Sequence, residues 1–209
     1  MKKRVHGKKG FTLVELIVVI AIIGVLAAIL IPSMVDWVTA ARVQSVNSTA
    51  SSIRKGLMNF MTQADSDGYG IHAGSGSTAE LEFSVDDNGV WTLTNSNPAV
   101  FFTRTQVTWS GTGTGSRNST KVGETNAESL LCIELANTVP ELTNATVWAY
   151  VSGNGCRYVT YCTERTTYDP TDFPTVSDFE NGRFTWNGKR AGITAAGFIV
   201  GTAPALVLG

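Results

Sequence analysis

Few residues in this sequence are of types that catalyse reactions, and their spacing does not bring them together. The chain of 209 residues contains two histidines, His6 and His72. A serine or cysteine nucleophile needs a nearby base, and here His6 lies in a basic segment and His72 in one rich in glycine and serine. The motifs G-x-S-x-G and H-E-x-x-H are also absent. We therefore predict no catalytic residues and no enzymatic activity.

Acidic and glycine-rich segments offer little for a metal or a phosphate group. Asp65, Asp67 and Gly68 are similar to the start of a calcium-binding loop, but Gly76 stands where such a loop needs a bidentate glutamate. The segment Gly111–Gly115 lacks the lysine and hydroxyl residue of a phosphate-binding loop. Solvated turns are the better interpretation of both. We predict no metal site and no cofactor.

The three cysteines, Cys132, Cys156 and Cys162, lack the C-x-x-C spacing and the histidines of a zinc site. Cys156 and Cys162 fall on one face of a predicted strand, six residues apart. At about 3.3 Å per residue they are separated by roughly 20 Å, which exceeds the reach of a disulfide. Any intramolecular disulfide must therefore join Cys132 to Cys156 or to Cys162, and one thiol stays free.

Charge is distributed unevenly along the chain. Five of the 16 basic residues lie within the first ten positions, where there is no acidic residue. Removing those five leaves 11 basic against 17 acidic residues. A body of that sign has no electrostatic reason to bind nucleic acid or an anionic membrane surface. We predict no nucleic-acid partner.

An apolar segment of 21 residues, Phe11–Ile31, follows the basic residues and contains one ionisable group, Glu15. As a helix it is about 31 Å long, which is enough to cross the hydrocarbon core of a bilayer. The basic residues before it place 1–10 in the cytoplasm and everything after Pro32 outside. An ordinary secretory signal has a shorter apolar run and small residues after it, whereas here the small residue Gly10 precedes the run.

Glu15 is unusual in such a segment, because a carboxylate at mid-bilayer costs about 2.5–3.5 kcal/mol on insertion scales. One explanation is that its side chain reaches the headgroup region. The other is that cleavage after Gly10 creates an amine on Phe11, one helical turn away, which pairs with Glu15 of the same or a neighbouring chain. Pairing between chains would set the register between subunits.

The segment Gly10-Phe11-Thr12-Leu13-Val14-Glu15, with its basic leader and the apolar helix up to Pro32, resembles the signal of type IV prepilins and pseudopilins. The resemblance covers roughly the first 35 residues. It implies that a membrane prepilin peptidase cuts between Gly10 and Phe11 and methylates the new Phe11 amine. It also implies that Glu15 neutralises the amine of an adjacent subunit, and that Gly24 and Pro32 mark where the helix kinks.

The resemblance implies an α+β fold in which one long helix packs on an antiparallel sheet. We expect a leader at 1–10, a transmembrane and assembly helix at 11–31, the amphipathic half of the same helix at 32–64, and an extracellular head at 65–209. The helix should end near Gln63. Its second half buries an apolar stripe with spacings of three and four residues, formed by Val46, Ala50, Ile53, Leu57 and Phe60.

Turn and cap signals outline the head. Asp86–Gly89 and Gly153–Gly155 predict two hairpins, the first joining strands at 80–85 and 90–94 and the second joining strands at 145–152 and 156–163. Residues 101–109 alternate as a further strand, and loops are expected at 70–77 and 111–121. Thr125 and Glu128 form a capping box for a helix over 127–136. Loops and a short strand are expected over 168–188, followed by buried strands over 192–208.

These features favour a structural subunit that polymerises through its N-terminal helix. Its expected partners are identical or related subunits, prepilin peptidase, an assembly platform in the membrane, and lipid before assembly. The expected location is the inner membrane and then a filament at the cell surface. Alternatives are a pseudopilin of a type II secretion or competence system, or a single-pass surface binding protein that does not polymerise. In some major pseudopilins of type II secretion a C-terminal loop binds calcium, and the acidic pairs available for this here are Asp169 with Asp172 or Asp86 with Asp87. A membrane-tethered hydrolase is a third alternative, disfavoured by the lack of a nucleophile and base.

Overall fold

A computed structural model describes residues 10–66, 78–97, 112–122, 124–152, 155–188 and 191–208. The chain divides into two units, the first ending at Ala41 and the second beginning at Arg42. The predicted strand over 101–109 and the predicted loop over 70–77 lie outside the described residues.

The N-terminal helix α1 runs from Leu13 to Ser66, over 54 residues, and contains Pro32. The prediction of one long helix is therefore confirmed, and the helix ends three residues beyond Gln63. In the first unit its apolar side chains are exposed, whereas in the second unit one stripe of the helix is buried. Phe60 is only half-buried, and Met61 and Ala64 continue the stripe in its place. The buried members are Val46, Ala50, Ile53, Leu57, Met61 and Ala64.

The α+β architecture is also confirmed. A sheet is formed by six strands, β1 (Thr78–Val85), β2 (Trp91–Asn97), β3 (Gly113–Gly115), β4 (Ala145–Ser152), β5 (Gly155–Cys162) and β7 (Val200–Ala203). Their order in the sheet is β3-β2-β1-β4-β5-β7, and every neighbouring pair is antiparallel. The residues of α1 within the second unit share one hydrophobic core with alternate residues of these strands.

Two polar side chains of α1 bond directly to the sheet. The amide oxygen of Asn47 accepts a hydrogen bond from the backbone N–H of Thr202, at 2.8 Å, on the edge strand β7. Arg54 Nε donates to the backbone oxygen of Cys156 at 3.1 Å. These bonds join polar side chains of the helix to backbone groups of the sheet, and so they fix where the helix lies on the sheet.

Both predicted hairpins are present. In the first, the carboxylate of Asp86 accepts from the N–H groups of Asn88 at 2.9 Å and Val90 at 2.8 Å. Gly89 has a φ of +74°, a conformation that glycine adopts without strain. In the second hairpin, β4 and β5 pair along almost their whole length.

The second hairpin contains a β-bulge that the sequence did not indicate. Tyr150 pairs with Tyr158, but Val151 pairs with Cys156, so one extra residue lies in β5. The extra residue reverses the alternation of faces. Cys156 therefore belongs to the core beneath α1, whereas Cys162 belongs to a second cluster on the opposite face of the sheet. The prediction that these two cysteines share one face was wrong.

Helix α2 (Ala127–Thr138) is present, but its N-cap differs from the predicted one. Its N-cap is Asn126 and not Thr125, which the capping-box pattern suggested. The side-chain oxygen of Asn126 accepts a hydrogen bond from Ser129 N at 2.7 Å.

The loop predicted over 111–121 contains strand β3. Its glycines lie directly under α2, since a Cβ on Gly113 would be 2.4 Å from Cβ of Glu128. The high glycine content of that segment reflects close packing as well as turns.

The C-terminal part contains a short helix that was not predicted, α3 (Val176–Asn181), which is closed at its start by a capping box. In this box Thr175 Oγ1 and N donate to the Asp178 carboxylate at 2.6 and 2.8 Å. Strand β6 (Arg183–Phe184) pairs in parallel with β8 (Val207–Leu208). The prediction of buried strands near the C-terminus is confirmed for β7, where all four residues are buried.

Candidate functional site

The start of α1 is organised by Thr12 and Glu15. Glu15 Oε2 accepts hydrogen bonds from Thr12 N at 2.8 Å and from Thr12 Oγ1 at 2.7 Å. In return, Glu15 N donates to Thr12 Oγ1 at 3.2 Å. This is a reciprocal capping box at the N-terminus of the helix, and it holds the Glu15 carboxylate beside the first turn. We did not predict a role for Thr12, although the spacing Thr-x-x-Glu is the signal for it.

The predicted cleavage site, Gly10–Phe11, lies just outside the helix, which begins at Leu13. Phe11 is 82% exposed, and a Cβ placed on Gly10 would meet no atom within 4 Å. The peptide bond between the two residues is therefore in non-helical, accessible chain. It is also only a few residues from the carboxylate of Glu15.

The first unit exposes a continuous apolar surface. Its most apolar window of 18 residues has a mean hydropathy of 3.2, and none of that window is buried within the protein. Among the described residues there is one helix, α1, that is long enough and apolar enough to cross a membrane. Such a surface has to be covered by lipid or by protein. Its large apolar members at half exposure or more include Leu16, Ile17, Val18, Ile20, Ile22, Ile23, Val25, Leu26, Ile29, Leu30 and Ile31.

The two predicted kink residues lie inside α1. Pro32 has no N–H group, so the carbonyl of Ala28 lacks its usual helical donor. A Cβ on Gly24 would meet no atom within 4 Å, so the backbone there is open to an approaching neighbour. Helical structure continues through both residues, and a kink at them stays a prediction.

All three cysteines are free and buried, so a disulfide from Cys132 to Cys156 or Cys162 is not formed in this structure. Burial raises the pKa of Cys132 and of Cys156 to about 12, and that of Cys162 to about 11. The thiol of Cys132 lies near the backbone oxygen of Gly113, at 3.6 Å. These thiols are protonated packing groups at neutral pH.

Within the described part of the chain, no group of three or more histidine, cysteine or acidic residues is placed to hold a metal ion. Asp169 instead accepts hydrogen bonds from the backbone and hydroxyl of Thr171, at 2.8 and 2.7 Å. The pKa of Asp169 is lowered by these bonds. The arrangement is that of a self-contained turn.

Comparison with known proteins identifies the chain. The prokaryotic N-terminal methylation motif matches residues 5–31, and a family described as a domain of unknown function (DUF5021) matches residues 43–207. The type IV narrow pilus major component of Thermus thermophilus is 34% identical over 97 residues, which are 44% of this chain and 84% of that protein. The chain belongs to the type IV pilin family. It is thus a structural pilus subunit, and this membership favours a non-enzymatic role.

Other relatives match this pilin mainly through its N-terminal part. A fimbrial protein of Moraxella nonliquefaciens is 42% identical over 52 residues, which cover 25% of this chain and 34% of that protein. The type IV major fimbrial protein FimA of Dichelobacter nodosus is 37% identical over 86 residues, which cover 41% of this chain and 50% of that protein. The pilin therefore spans half or less of the length of these two relatives. No solved structure matches it.

Proposed function

We propose that this pilin is cut between Gly10 and Phe11 by prepilin peptidase, is methylated on the new Phe11 amine, and polymerises through the first half of α1. Glu15 pairs with the Phe11 amine of an adjacent subunit and so sets the register of the filament. The observation that carries the proposal is the Thr12–Glu15 capping box, which holds a carboxylate next to the accessible Gly10–Phe11 bond.

The capping box leaves Glu15 able to bind an amine. A carboxylate has about four lone-pair positions on its two oxygens, and Thr12 occupies two of them on Oε2. The remaining positions are available to an ammonium group. Because Thr12 fixes the rotamer of Glu15, little side-chain entropy is lost when that second bond forms.

The exposed apolar surface of the helix favours two environments, lipid before assembly and neighbouring helices after assembly. Before assembly, lipid surrounds the first half of α1, with the leader in the cytoplasm and the head outside the inner membrane. After assembly, neighbouring helices replace the lipid. An unpaired Glu15 would be costly in either setting, so only those packings that pair it with an amine are favoured.

As a filament subunit, this pilin needs no catalytic group of its own. The partners we propose are other pilin subunits, the peptidase and a membrane assembly platform. A pseudopilin role would use the same N-terminal chemistry. A surface protein that never polymerises would have no use for a carboxylate held beside a cleavable bond.

Substitution of Glu15 by glutamine tests the proposal. Glutamine at this position keeps the capping box but removes the charge. We expect Glu15→Gln chains to be inserted and cleaved normally, and their yield in sheared filaments to fall at least about tenfold, since loss of the carboxylate leaves the amine of the adjacent subunit unpaired. Filament yield equal to that of the parent chain would overturn the role of Glu15 in pairing.

A further inference from the structure

A cavity of about 490 Å³ lies on the face of the sheet opposite α1. It is formed by the outward-facing residues of β1, β4 and β5, together with the segment that leads into α3. Its size falls within the range of small-molecule binding sites. The assembly chemistry at the start of α1 makes no use of it.

Strand register explains which residues meet there. Glu80 pairs with Tyr150, which in turn pairs with Tyr158. Two residues further along β1, Glu82 pairs with Trp148. Because side chains of neighbouring strands at paired positions point to the same face, each glutamate stands beside an aromatic side chain.

Aromatic rings line both sides of the cavity. Tyr158 stacks on Phe179 of α3, with ring centroids 4.7 Å apart, and on Tyr150 at 5.8 Å. On the other side, Trp148 meets Tyr168 edge-on at 5.4 Å. These contacts fix the rings, so the apolar walls are formed before any ligand arrives.

The charged residues of the lining are Glu80 and Glu82, and none of the described residues that line the cavity is basic. The two glutamates are two positions apart on one strand, so their backbones are about 6.6 Å apart on the same face. Two carboxylates at that spacing are able to flank one cationic group. Burial raises the pKa of Tyr168 to about 12, with the negative charge of Glu80 adding to the effect.

We propose that this cavity binds a small organic cation, with an ammonium head between Glu80 and Glu82 and an apolar body against the aromatic walls. The negative charge of the lining favours a cation over a neutral sugar through Coulomb attraction. The aromatic lining selects an alkylated ammonium over a hydrated metal ion, which would keep its water and gain nothing from the rings.

Calorimetric titration with choline tests the proposal on the full-length chain in polyoxyethylene detergent micelles. The matched ligand is 3,3-dimethyl-1-butanol, which has the shape of choline without its charge. We expect saturable binding of choline, and binding of the alcohol at least about tenfold weaker. Choline that does not saturate the parent chain, or an alcohol that binds as well as choline, would overturn the assignment.

The variant Glu80→Gln/Glu82→Gln tests the two carboxylates directly. Its control is Asp87→Asn/Glu141→Gln, which removes the same charge at exposed positions outside the cavity. We expect choline affinity to fall at least about tenfold in the first variant and to stay within twofold in the control, since remote exposed charges are screened by salt. An equal loss in both variants would show a general charge effect and no specific site.

Discussion

Thr12 and Glu15 hold each other by three hydrogen bonds of 2.7–3.2 Å at the first turn of the N-terminal helix. The pair connects two features that the sequence presents separately, the beginning of the helix and the one acidic residue of its apolar segment. The carboxylate is thus oriented by the chain that carries it. Orientation of Glu15 and pairing of Glu15 are then separable properties.

Replacing Thr12 tests the orientation of Glu15 separately from its pairing. Thr12→Val keeps the charge of Glu15 and the shape of the side chain but removes the hydroxyl, and loss of an N-cap costs about 1 kcal/mol. We expect a reduction of a few-fold in filament yield, smaller than that of Glu15→Gln, and faster amide hydrogen exchange over the first turn of α1. Thr12→Ser retains the hydroxyl and should match the parent chain. Full assembly of Thr12→Val would show that orientation by Thr12 is dispensable.

Close packing of α1 on strand β7 predicts a strong effect at Gly201. A Cβ there would lie 2.3 Å from the backbone oxygen of Val46, which cannot move aside as a flexible side chain can. We expect Gly201→Ala to lower the free energy of unfolding of the head by about 1–3 kcal/mol or more. Gly155→Ala is the matched control, because a Cβ at Gly155 meets no atom within 4 Å.

Urea denaturation of the two full-length glycine variants in the same micelles measures this difference. The midpoint of Gly155→Ala should stay near that of the parent chain. Equal midpoints for Gly201→Ala and Gly155→Ala would contradict the observed approach of α1 to β7.

The buried thiols predict a loss of stability at alkaline pH. The pKa of Cys132 and of Cys156 is raised by burial from 9.0 to about 12. The unfolded chain therefore loses these protons first, so the stabilisation is complete below pH 9 and disappears as the pH rises from 9 toward 12. Thermal denaturation between pH 8 and pH 11 should show a falling midpoint, and substitution of both cysteines by alanine should make the midpoint less sensitive to pH in that range.

The same burial predicts slow alkylation. At pH 8, iodoacetamide should leave Cys132, Cys156 and Cys162 unmodified in the native chain and react with all three in urea, as counted by mass spectrometry. A native chain that resists alkylation in urea until it is reduced would instead contain the disulfide that this structure lacks.

Much of the fold follows from local signals in the sequence. The turn Asp86–Gly89 specifies its hairpin because glycine takes a positive φ and Asp86 binds two backbone N–H groups. The apolar stripe of α1 predicts the buried face because helical periodicity is strict. The N-terminal motif points to the family without any knowledge of the head.

Other features depend on contacts between distant segments, and local patterns could not reveal them. The bulge opposite Tyr150 moves Cys156 to a different face from Cys162, and residues 156–158, which form it, include no glycine or proline. The sequence predicts Gly113 to be part of a loop. In the structure its lack of a side chain allows close packing under α2. The cavity beside Glu80 and Glu82 exists only because β1, β4 and β5 are neighbours in the sheet.

The proposed function depends on processing at Gly10–Phe11, which creates the amine that Glu15 binds in the filament. The most direct test is the N-terminal sequence and intact mass of the chain in filaments sheared from its native cell. We expect a chain that begins at Phe11 and is heavier by one methyl group than the cleaved sequence. A chain in those filaments that still begins at Met1 would contradict this, because the nitrogen of Phe11 would then be a peptide nitrogen and not an amine that Glu15 can pair with.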